Sequence, residues 1–394
     1  MSQPTIHWLT TNQQLVEAFQ QWQSLPWITM DTEFVRTKTF WPEPGLIQLG
    51  YGDDVWLIDP LTISEWQPLR DLLTDPQIVK VMHAMGEDLE LFRYLLDVLP
   101  QNVFDTQIAA AYAGLDFSIG YQRLIAELLT IDIPKGETRS DWLARPLTKS
   151  QIDYAALDVF YLGQAYLKLL PRLEDKGFTE WHREDCNTQI SNSGEDTDPD
   201  QAWRNVKLAW QLRPQQLAVL QVLCHWRETE ARILNLSRNR LIPAGALWEL
   251  ARLQPRNHND LRRIKAMKPQ VIRQFGNEVL NKVVEGQEVP PEHYPEPPAG
   301  PLPKQVQPMV DAIKQFCQQR AQELGLPPEL MPAKLWVGKL LRSWLKNGEF
   351  SIQNPPEVWR TREVLAPLLE HMTNQNFPTP PSIPPSTPLS IPRQ

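Results

Sequence analysis

The sequence has 394 residues, 42% of them hydrophobic, so it can form two or three domains with sizeable cores. No run reaches the ~18 apolar residues of a membrane-spanning helix, and the opening MSQPTIHWLTTNQQ lacks the pattern of a secretory signal. The net charge of −8 is uneven: residues 1–183 carry 25 acidic against 14 basic side chains, whereas residues 203–273 carry 4 against 14. An acidic part and a basic part in one chain indicate separate tasks.

Strand and helix patterns share the first 183 residues. Strand composition is present in WITMDTEF, LIQLGY, VWLID and IVKVMH. Helical periodicity is present in SEWQPLRDLLTD, with Ser64 as a candidate N-cap, and in GEDLELFRYLLDVL, DTQIAAAYAG, QRLIAELL and the long segment that begins SQIDYAALD. Strands first and helices later predict an α/β domain with a mixed sheet.

Polar and proline-rich stretches predict the domain boundaries. Residues 184–201 are acidic without an apolar period and predict a linker, and the proline-rich residues 288–303 predict an extended one. The tail at 374–394, rich in proline and serine, has little to bury and is expected to be disordered. The folded pieces that remain are 1–183, 202–287 and 304–373.

The second and third pieces are both predicted to be all helical. Residues 230–252 resemble residues 320–342, since each has a helix end, a short turn, an apolar-Pro-Ala unit and a second helix. An internal duplication and a chance likeness of two helical hairpins both explain this similarity.

Two acids, Asp31 and Glu33, follow the apolar run WITM at residues 27–30. Residues i and i+2 of a strand share one face, so these carboxylates are expected to project together. A strand flanked by buried residues should not end in two acids on one face unless a cation neutralises them.

Three further positions carry candidate groups. Asp88 stands near a helix start, just after the strand that ends at His83, and Tyr154 and Asp158 are four apart on a helix, where they share a face. Asp105 in FDTQ is better explained as a helix N-cap than as a metal ligand. Acids at strand ends and helix faces indicate a site for a hard cation such as Mg²⁺ or Mn²⁺.

The set Asp31-x-Glu33, Asp88 in HAMGEDLELF and Tyr154-x-x-x-Asp158 resembles the three motifs of the DEDD 3′–5′ exonucleases. It is similar to their tyrosine subclass, because a tyrosine stands four residues before the last aspartate. DTQIAAAYAG followed by RSDWLARPLTKSQIDYAALDVFYL resembles the ribonuclease D family in particular, and the downstream helices resemble its HRDC modules, which RecQ helicases share.

This resemblance implies a ribonuclease H-like mixed-sheet exonuclease domain followed by one or two all-α HRDC-type domains. It also implies two divalent metal ions per site, with Asp31 bridging both and Glu33, Asp88 and Asp158 completing the ligand set. Tyr154 would orient or help deprotonate the attacking water.

The expected substrate is RNA, most simply precursor tRNA, hydrolysed from its 3′ end to 5′-mononucleotides in the cytoplasm. The three widely spaced cysteines agree with a reducing compartment, and no obligate protein partner is evident. The basic second piece would attract phosphates without reading sequence. Its candidate side chains, weighed against a merely solvated basic face, are Arg238, Arg240, Arg252, Arg262, Arg263 and Lys265.

Two rival functions remain at the level of sequence. A DNA-directed 3′–5′ exonuclease of the same superfamily would use the same acids, and a protein that kept the fold for RNA binding alone would lack one of them. All of the acids are present.

Overall fold

The computed structural model describes residues 3–133, 136–137, 140–194, 198–356, 358–375 and 377. These residues form two compact units. The first unit contains residues 3–35, 42–194 and 303–377, and the second contains residues 36–41 and 198–302. Among the described residues, no helix combines the length and apolar character needed to cross a lipid bilayer.

A six-stranded sheet is the base of the first unit. Its strands are β1 (Thr5–Leu9), β2 (Trp27–Val35), β3 (Glu43–Tyr51), β4 (Asp54–Ile58), β5 (Val79–Met82) and β6 (Val103–Asp105). Their order in space is β1-β4-β3-β2-β5-β6, and β3 runs antiparallel to its neighbours β2 and β4 while all other pairs are parallel. The predicted mixed sheet is therefore confirmed.

Helices pack on this sheet because its central strands are apolar and must be covered on both faces. They are α1 (Asn12–Trp22), α2 (Gln67–Thr74), α3 (Gly86–Leu96), α4 (Thr106–Ala113), α5 (Tyr121–Leu129), α6 (Lys149–Lys176) and α7 (Thr179–Gly194). One core cluster joins Trp22, Met30 and Leu89, and a second joins Leu46 to Val159 of α6.

The predicted N-cap at Ser64 is wrong. Helix α2 begins at Gln67 after Trp66, and no side chain caps it. Ser64 instead pairs with Asn12, whose side-chain oxygen accepts from the Ser64 amide at 3.0 Å. A proline at the start of α2 supplies a preset φ there, so a serine cap is not needed.

The first half of the segment predicted as an acidic linker, residues 184–201, is helical and not a linker. Residues 184–194 continue α7, and Cys186 on this helix is fully buried. Residues 195–197 lie outside the described part of the chain. The predicted proline-rich linker at 288–303 has one short 3₁₀ turn, Pro291–His293, and no other regular element.

The second unit is helical, as predicted. Its helices are α8 (Pro214–Ile233), α9 (Arg238–Leu241), α10 (Ala244–Leu253), α11 (His258–Arg263) and α12 (Pro269–Gln287), preceded by 3₁₀ turns at Ala202–Asn205 and Ala209–Gln211. Residues 36–41 belong to this unit, where the Asn235 side chain accepts from the backbone amides of Phe40 and Trp41.

The third predicted piece folds onto the first unit. It contains α13 (Gln307–Leu324), α14 (Ala333–Asn347) and α15 (Ala366–Asn374), with a π-helical turn at Thr361–Leu365 before α15. The indole of Trp359 stacks on that of Trp181 in α7, with centroids 4.5 Å apart and planes 3° apart. The disordered tail predicted from residue 374 lies almost entirely outside the described residues.

Candidate active site

Asp31 and Glu33 project from the same face of β2, in the middle of the sheet. β2 pairs with β3 through Asp31 opposite Gln48 and Glu33 opposite Leu46, and the register shifts by a bulge just after Glu33. Such bulges commonly redirect side chains next to active sites. The pair predicted from the DTE spacing is thus confirmed as a shared face.

Asp158 comes to this pair from α6. One carboxylate oxygen from each of Asp31, Glu33 and Asp158 lies within 4.8 Å of the others. Helix α6 is held at its start by a capping box in which Thr148 and Gln151 bond each other's backbone. It also packs on the sheet through Thr29, whose hydroxyl donates to the Val159 carbonyl at 2.9 Å.

Asp88 lies beside these three acids in the first turn of α3 and is buried. Its carboxylate accepts from the Thr32 hydroxyl at 2.5 Å, and its charge acts on Glu33 by repulsion. The sequence pattern predicts no role for Thr32. Its position between Asp31 and Glu33 is the available signal, but only the fold brings α3 to this strand.

Tyr154 stands one helical turn before Asp158 and donates a hydrogen bond to its carboxylate. Its ring packs against that of Trp142, with the ring centroids 6.2 Å apart. At residue 136 a side chain would collide with it, since a Cβ there would lie 1.7 Å from the Tyr154 Cε2 atom. Gly136 therefore permits the close approach of its loop to the tyrosine.

The loop that carries Trp142 is anchored by Arg145. The Arg145 guanidinium binds both carboxylate oxygens of Asp59 at 2.7 Å and donates to the backbone carbonyls of Trp142 and Gly45. A bidentate pair of this kind fixes geometry as well as charge. Arg145 thus ties the backbone at Trp142, which packs against the tyrosine, to Asp59 and Gly45.

A second tyrosine, Tyr121, binds the backbone of Asp158. The hydroxyl of Tyr121, a partly buried residue, donates a hydrogen bond to the carbonyl oxygens of Asp158 and Leu157, at 2.5 Å and 3.0 Å. No local signal in the sequence could have identified this contact, because the partners are 37 residues apart.

Burial and mutual repulsion dominate the electrostatics of the acids. Burial raises the pKa of Asp31 from 3.8 to about 6, against a lowering hydrogen bond from the Thr32 backbone. Burial, with repulsion from the other three acids, raises the pKa of Glu33 from 4.5 to about 10. The pKa values of Asp88 and Asp158 are raised by burial and by the charge of Asp31.

These shifts fit a cation site. Ionised carboxylates that are buried together need a positive charge among them, and a cluster of oxygen ligands suits a hard divalent ion. The donor set therefore fits a divalent metal ion. Asp105, interpreted from the sequence as a helix cap, does cap α4 by accepting from the amides of Gln107 and Ile108.

The basic candidates of the second unit have unlike environments. Arg238 binds both oxygens of the buried Glu228 at 2.7 and 2.8 Å and stacks over the Phe40 ring. It is thus part of an internal ion pair. The other candidates, Arg240, Arg252, Arg262, Arg263 and Lys265, are exposed. Two further basic residues that the sequence pattern does not single out, Arg256 and Lys268, are exposed as well.

Two family models match this chain. A 3′-5′ exonuclease model matches residues 6–174, and an HRDC domain model matches residues 216–283. A ribonuclease D of Pseudomonas paraeruginosa is 44% identical over 93% of this chain and 97% of that protein. The chain belongs to the ribonuclease D family. The ribonuclease D of Escherichia coli K12 is 35% identical over 94% of this chain and 98% of that protein.

The fold of the ribonuclease D family is also found by comparison with solved structures. The crystal structure of Escherichia coli RNase D, described as an exoribonuclease involved in structured RNA processing, matches with a TM-score of 0.87 at 35% identity. It covers 94% of this chain and 99% of its own. The predicted family is confirmed, and with it an enzyme of the 3′–5′ exoribonuclease type.

Proposed function

We propose that this ribonuclease D family member trims precursor tRNAs in the cytoplasm by removing nucleotides one at a time from the 3′ end and releasing 5′-mononucleotides. The observation that carries this proposal is the convergence of Asp31, Glu33 and Asp158, with Asp88 and Tyr154 beside them. The three cysteines, all free and buried, agree with a reducing compartment.

We further propose that two divalent cations, Mg²⁺ or Mn²⁺, bind at Asp31, Glu33, Asp88 and Asp158. When bound, such ions lower the pKa of water and stabilise charge on the attacking and leaving oxygens of a phosphodiester. The central place of Asp31, whose charge acts on the other three acids, suits a ligand shared by both ions.

Tyr154 acts in this proposal as an orienting group. Burial, followed by the charges of Asp158, Glu33 and Asp31, raises the pKa of its hydroxyl above the usual 10. Burial persists whatever the acids bind, so the phenol stays protonated at neutral pH. Its oxygen can then accept from an attacking water while its proton stays directed at Asp158.

Selection of long RNA is assigned to the second unit. Its exposed Arg240, Arg252, Arg262, Arg263 and Lys265 supply a phosphate attraction that does not depend on sequence. We leave Arg238 out of this set because it is committed to Glu228.

The test is incubation of the purified full-length protein with precursor tRNA labelled at its 5′ end, and with DNA of matched sequence, with and without Mg²⁺. We expect a Mg²⁺-dependent ladder of shortened labelled RNA and much slower loss of DNA. The released 5′-mononucleotides carry no label, so they are identified by chromatography. Asp31→Asn is the inactive control. Equal rates on DNA would favour the DNA-directed alternative, and internal cleavage would contradict the proposal.

A further inference from the structure

The turn that delivers Asp88 to the site is poorly supported by its own residues. It joins β5 to α3, and the residue before α3, Met85, offers no side-chain cap. Ala84 has φ = +56°, a left-handed conformation that residues other than glycine rarely adopt. Something outside the turn must therefore stabilise it.

Asp105 supplies that support from the neighbouring strand. β5 and β6 pair through Met82 opposite Asp105, so the Asp105 carboxylate faces the turn. One oxygen, Oδ1, accepts from the Ala84 amide at 3.2 Å, and the other, Oδ2, accepts from the Met85 amide at 2.9 Å. The residue is fully buried.

The same carboxylate performs a second task at a different element. Its Oδ1 also accepts from the amides of Gln107 and Ile108, at 2.8 and 3.2 Å, and so caps α4. The backbone carbonyl of Asp105 accepts from His182 of α7 at 3.1 Å. The contacts with His182 and with the start of α4 thus hold Asp105 in place. Its Oδ2 remains directed at the Met85 amide.

We propose that Asp105 is a positioning residue of the exonuclease site, which holds the turn at residues 84–85 and thereby the carboxylate of Asp88. This proposal rests on the proposed function, in which Asp88 is a metal ligand. It goes beyond helix capping, because a cap needs only the oxygen that faces α4.

Asparagine separates the two tasks. It is as good an N-cap as aspartate, but it has one acceptor oxygen and one donor group. With its oxygen toward α4, its NH₂ group faces the Met85 amide, so two donors meet. If capping were the whole role, Asp105→Asn would be nearly silent; if Asp105 positions the turn, the variant weakens the metal site.

The experiment uses full-length protein and two readouts besides activity. Hydrogen exchange of the Ala84 and Met85 amides is measured without metal, and Mn²⁺ binding is measured by titration. In Asp105→Asn we expect faster exchange at the Met85 amide, which loses its acceptor Oδ2. Exchange in α4 should not change, and Mn²⁺ binding should weaken by about 10–100-fold, the usual range for groups behind metal ligands. Saturating Mg²⁺ should restore most of kcat.

Thr11→Ala is the matched control, since Thr11 caps α1. It should lower the melting temperature without changing Mn²⁺ affinity. Wild-type affinity and exchange in Asp105→Asn would overturn the proposal. So would rapid exchange of the Met85 amide in the wild type, a result that needs no variant to fold. If the wild type binds Mn²⁺ and Asp105→Asn weakens it, yet neither hydrolyses RNA, the proposed function fails while the positioning role stands.

Discussion

The hydroxyl of Tyr154 can be removed from the site without changing any of the four carboxylates. We predict that Tyr154→Phe lowers single-turnover cleavage of a short RNA by about 10²–10⁴-fold at saturating Mg²⁺, as for other side chains positioned at a reacting group. RNA binding and Mn²⁺ affinity should stay close to the wild type, because the ring and the four acids remain.

Tyr166→Phe on the same helix is the control. That side chain packs against Trp27 and Phe104, away from the acids, so its hydroxyl should be dispensable. A Tyr154→Phe rate within about twofold of the wild type, far below the catalytic range, would leave Tyr154 as a packing residue.

The raised pKa values of Asp31 and Glu33 predict how pH changes stability. Below about pH 4, the pKa of these acids in the unfolded chain, both are protonated and do not destabilise the metal-free folded protein. As pH rises toward 6, where Asp31 ionises, and toward 10, where Glu33 does, the folded state loses stability. Bound Mg²⁺ should remove this loss, so its stabilising effect should be small at pH 5 and large at pH 8.

Melting temperatures in Mg²⁺ and in EDTA across this pH range measure the effect. Asp31→Asn should abolish hydrolysis, raise the melting temperature of the metal-free protein at pH 8 and shrink the gain from Mg²⁺. An Mg²⁺ effect that stays constant from pH 5 to 8, or a metal-free Asp31→Asn that melts well below the wild type, would contradict the clustering of repelling carboxylates.

The sequence predicts some of these residues better than others. The spacing in DTE and in YAALD places each pair on one face of one element, so local periodicity is sufficient. Thr32 and Tyr121 act through partners on other elements, Asp88 and the Asp158 carbonyl. No periodicity within β2 or α5 encodes those partners.

Helix α7 shows why an element can be misjudged from composition. Acidic residues such as Glu184 and Asp185 led to the prediction of a solvated linker at residues 184–201. In the fold both carboxylates are acceptors for the third piece: Glu184 for Arg362 at 2.7 Å, and Asp185 for Arg360 at 2.9 Å and for the Trp359 indole at 3.1 Å. A helix whose polar residues bind a distant segment of the chain therefore has the same composition as a solvated linker, and composition alone does not separate the two.

This docking predicts a stability effect at Arg360. Asp185 also accepts from the Tyr112 hydroxyl at 2.6 Å, and its side chain is only 9% exposed. Arg360→Ala would leave a nearly buried carboxylate without its cation, so we expect a loss of about 3 kcal/mol in unfolding free energy by urea denaturation.

Arg362→Ala is the matched control, because Arg362 pairs with Glu184 while half exposed. Exposed pairs contribute about 0–1 kcal/mol, so this variant should be close to the wild type. Equal effects of the two substitutions would show that burial of Asp185 does not decide the stability of this contact.

At the scale of the whole molecule, the acidic and the basic parts of the sequence belong to different compact units. The acidic residues 1–183 lie mostly in the unit with the sheet, and the basic residues 203–273 lie in the helical unit. Deleting everything after residue 201 would test this division poorly, because it would also remove Trp359 and Arg360, which pack on α7. Point substitutions avoid that difficulty.

We therefore predict the effect of replacing Arg262, Arg263 and Lys265 together by alanine in the full-length protein. These side chains are exposed, and each phosphate contact that is lost should reduce the slope of log affinity against log salt by about 0.7 for single-stranded RNA. Binding of long RNA should weaken most at low salt, whereas kcat on a short oligonucleotide should not change. The control is the alanine triple variant at the exposed positions 168, 172 and 183 of the sheet unit, which removes the same charge. If that control weakens RNA binding as much, net charge and not a located basic surface attracts the substrate.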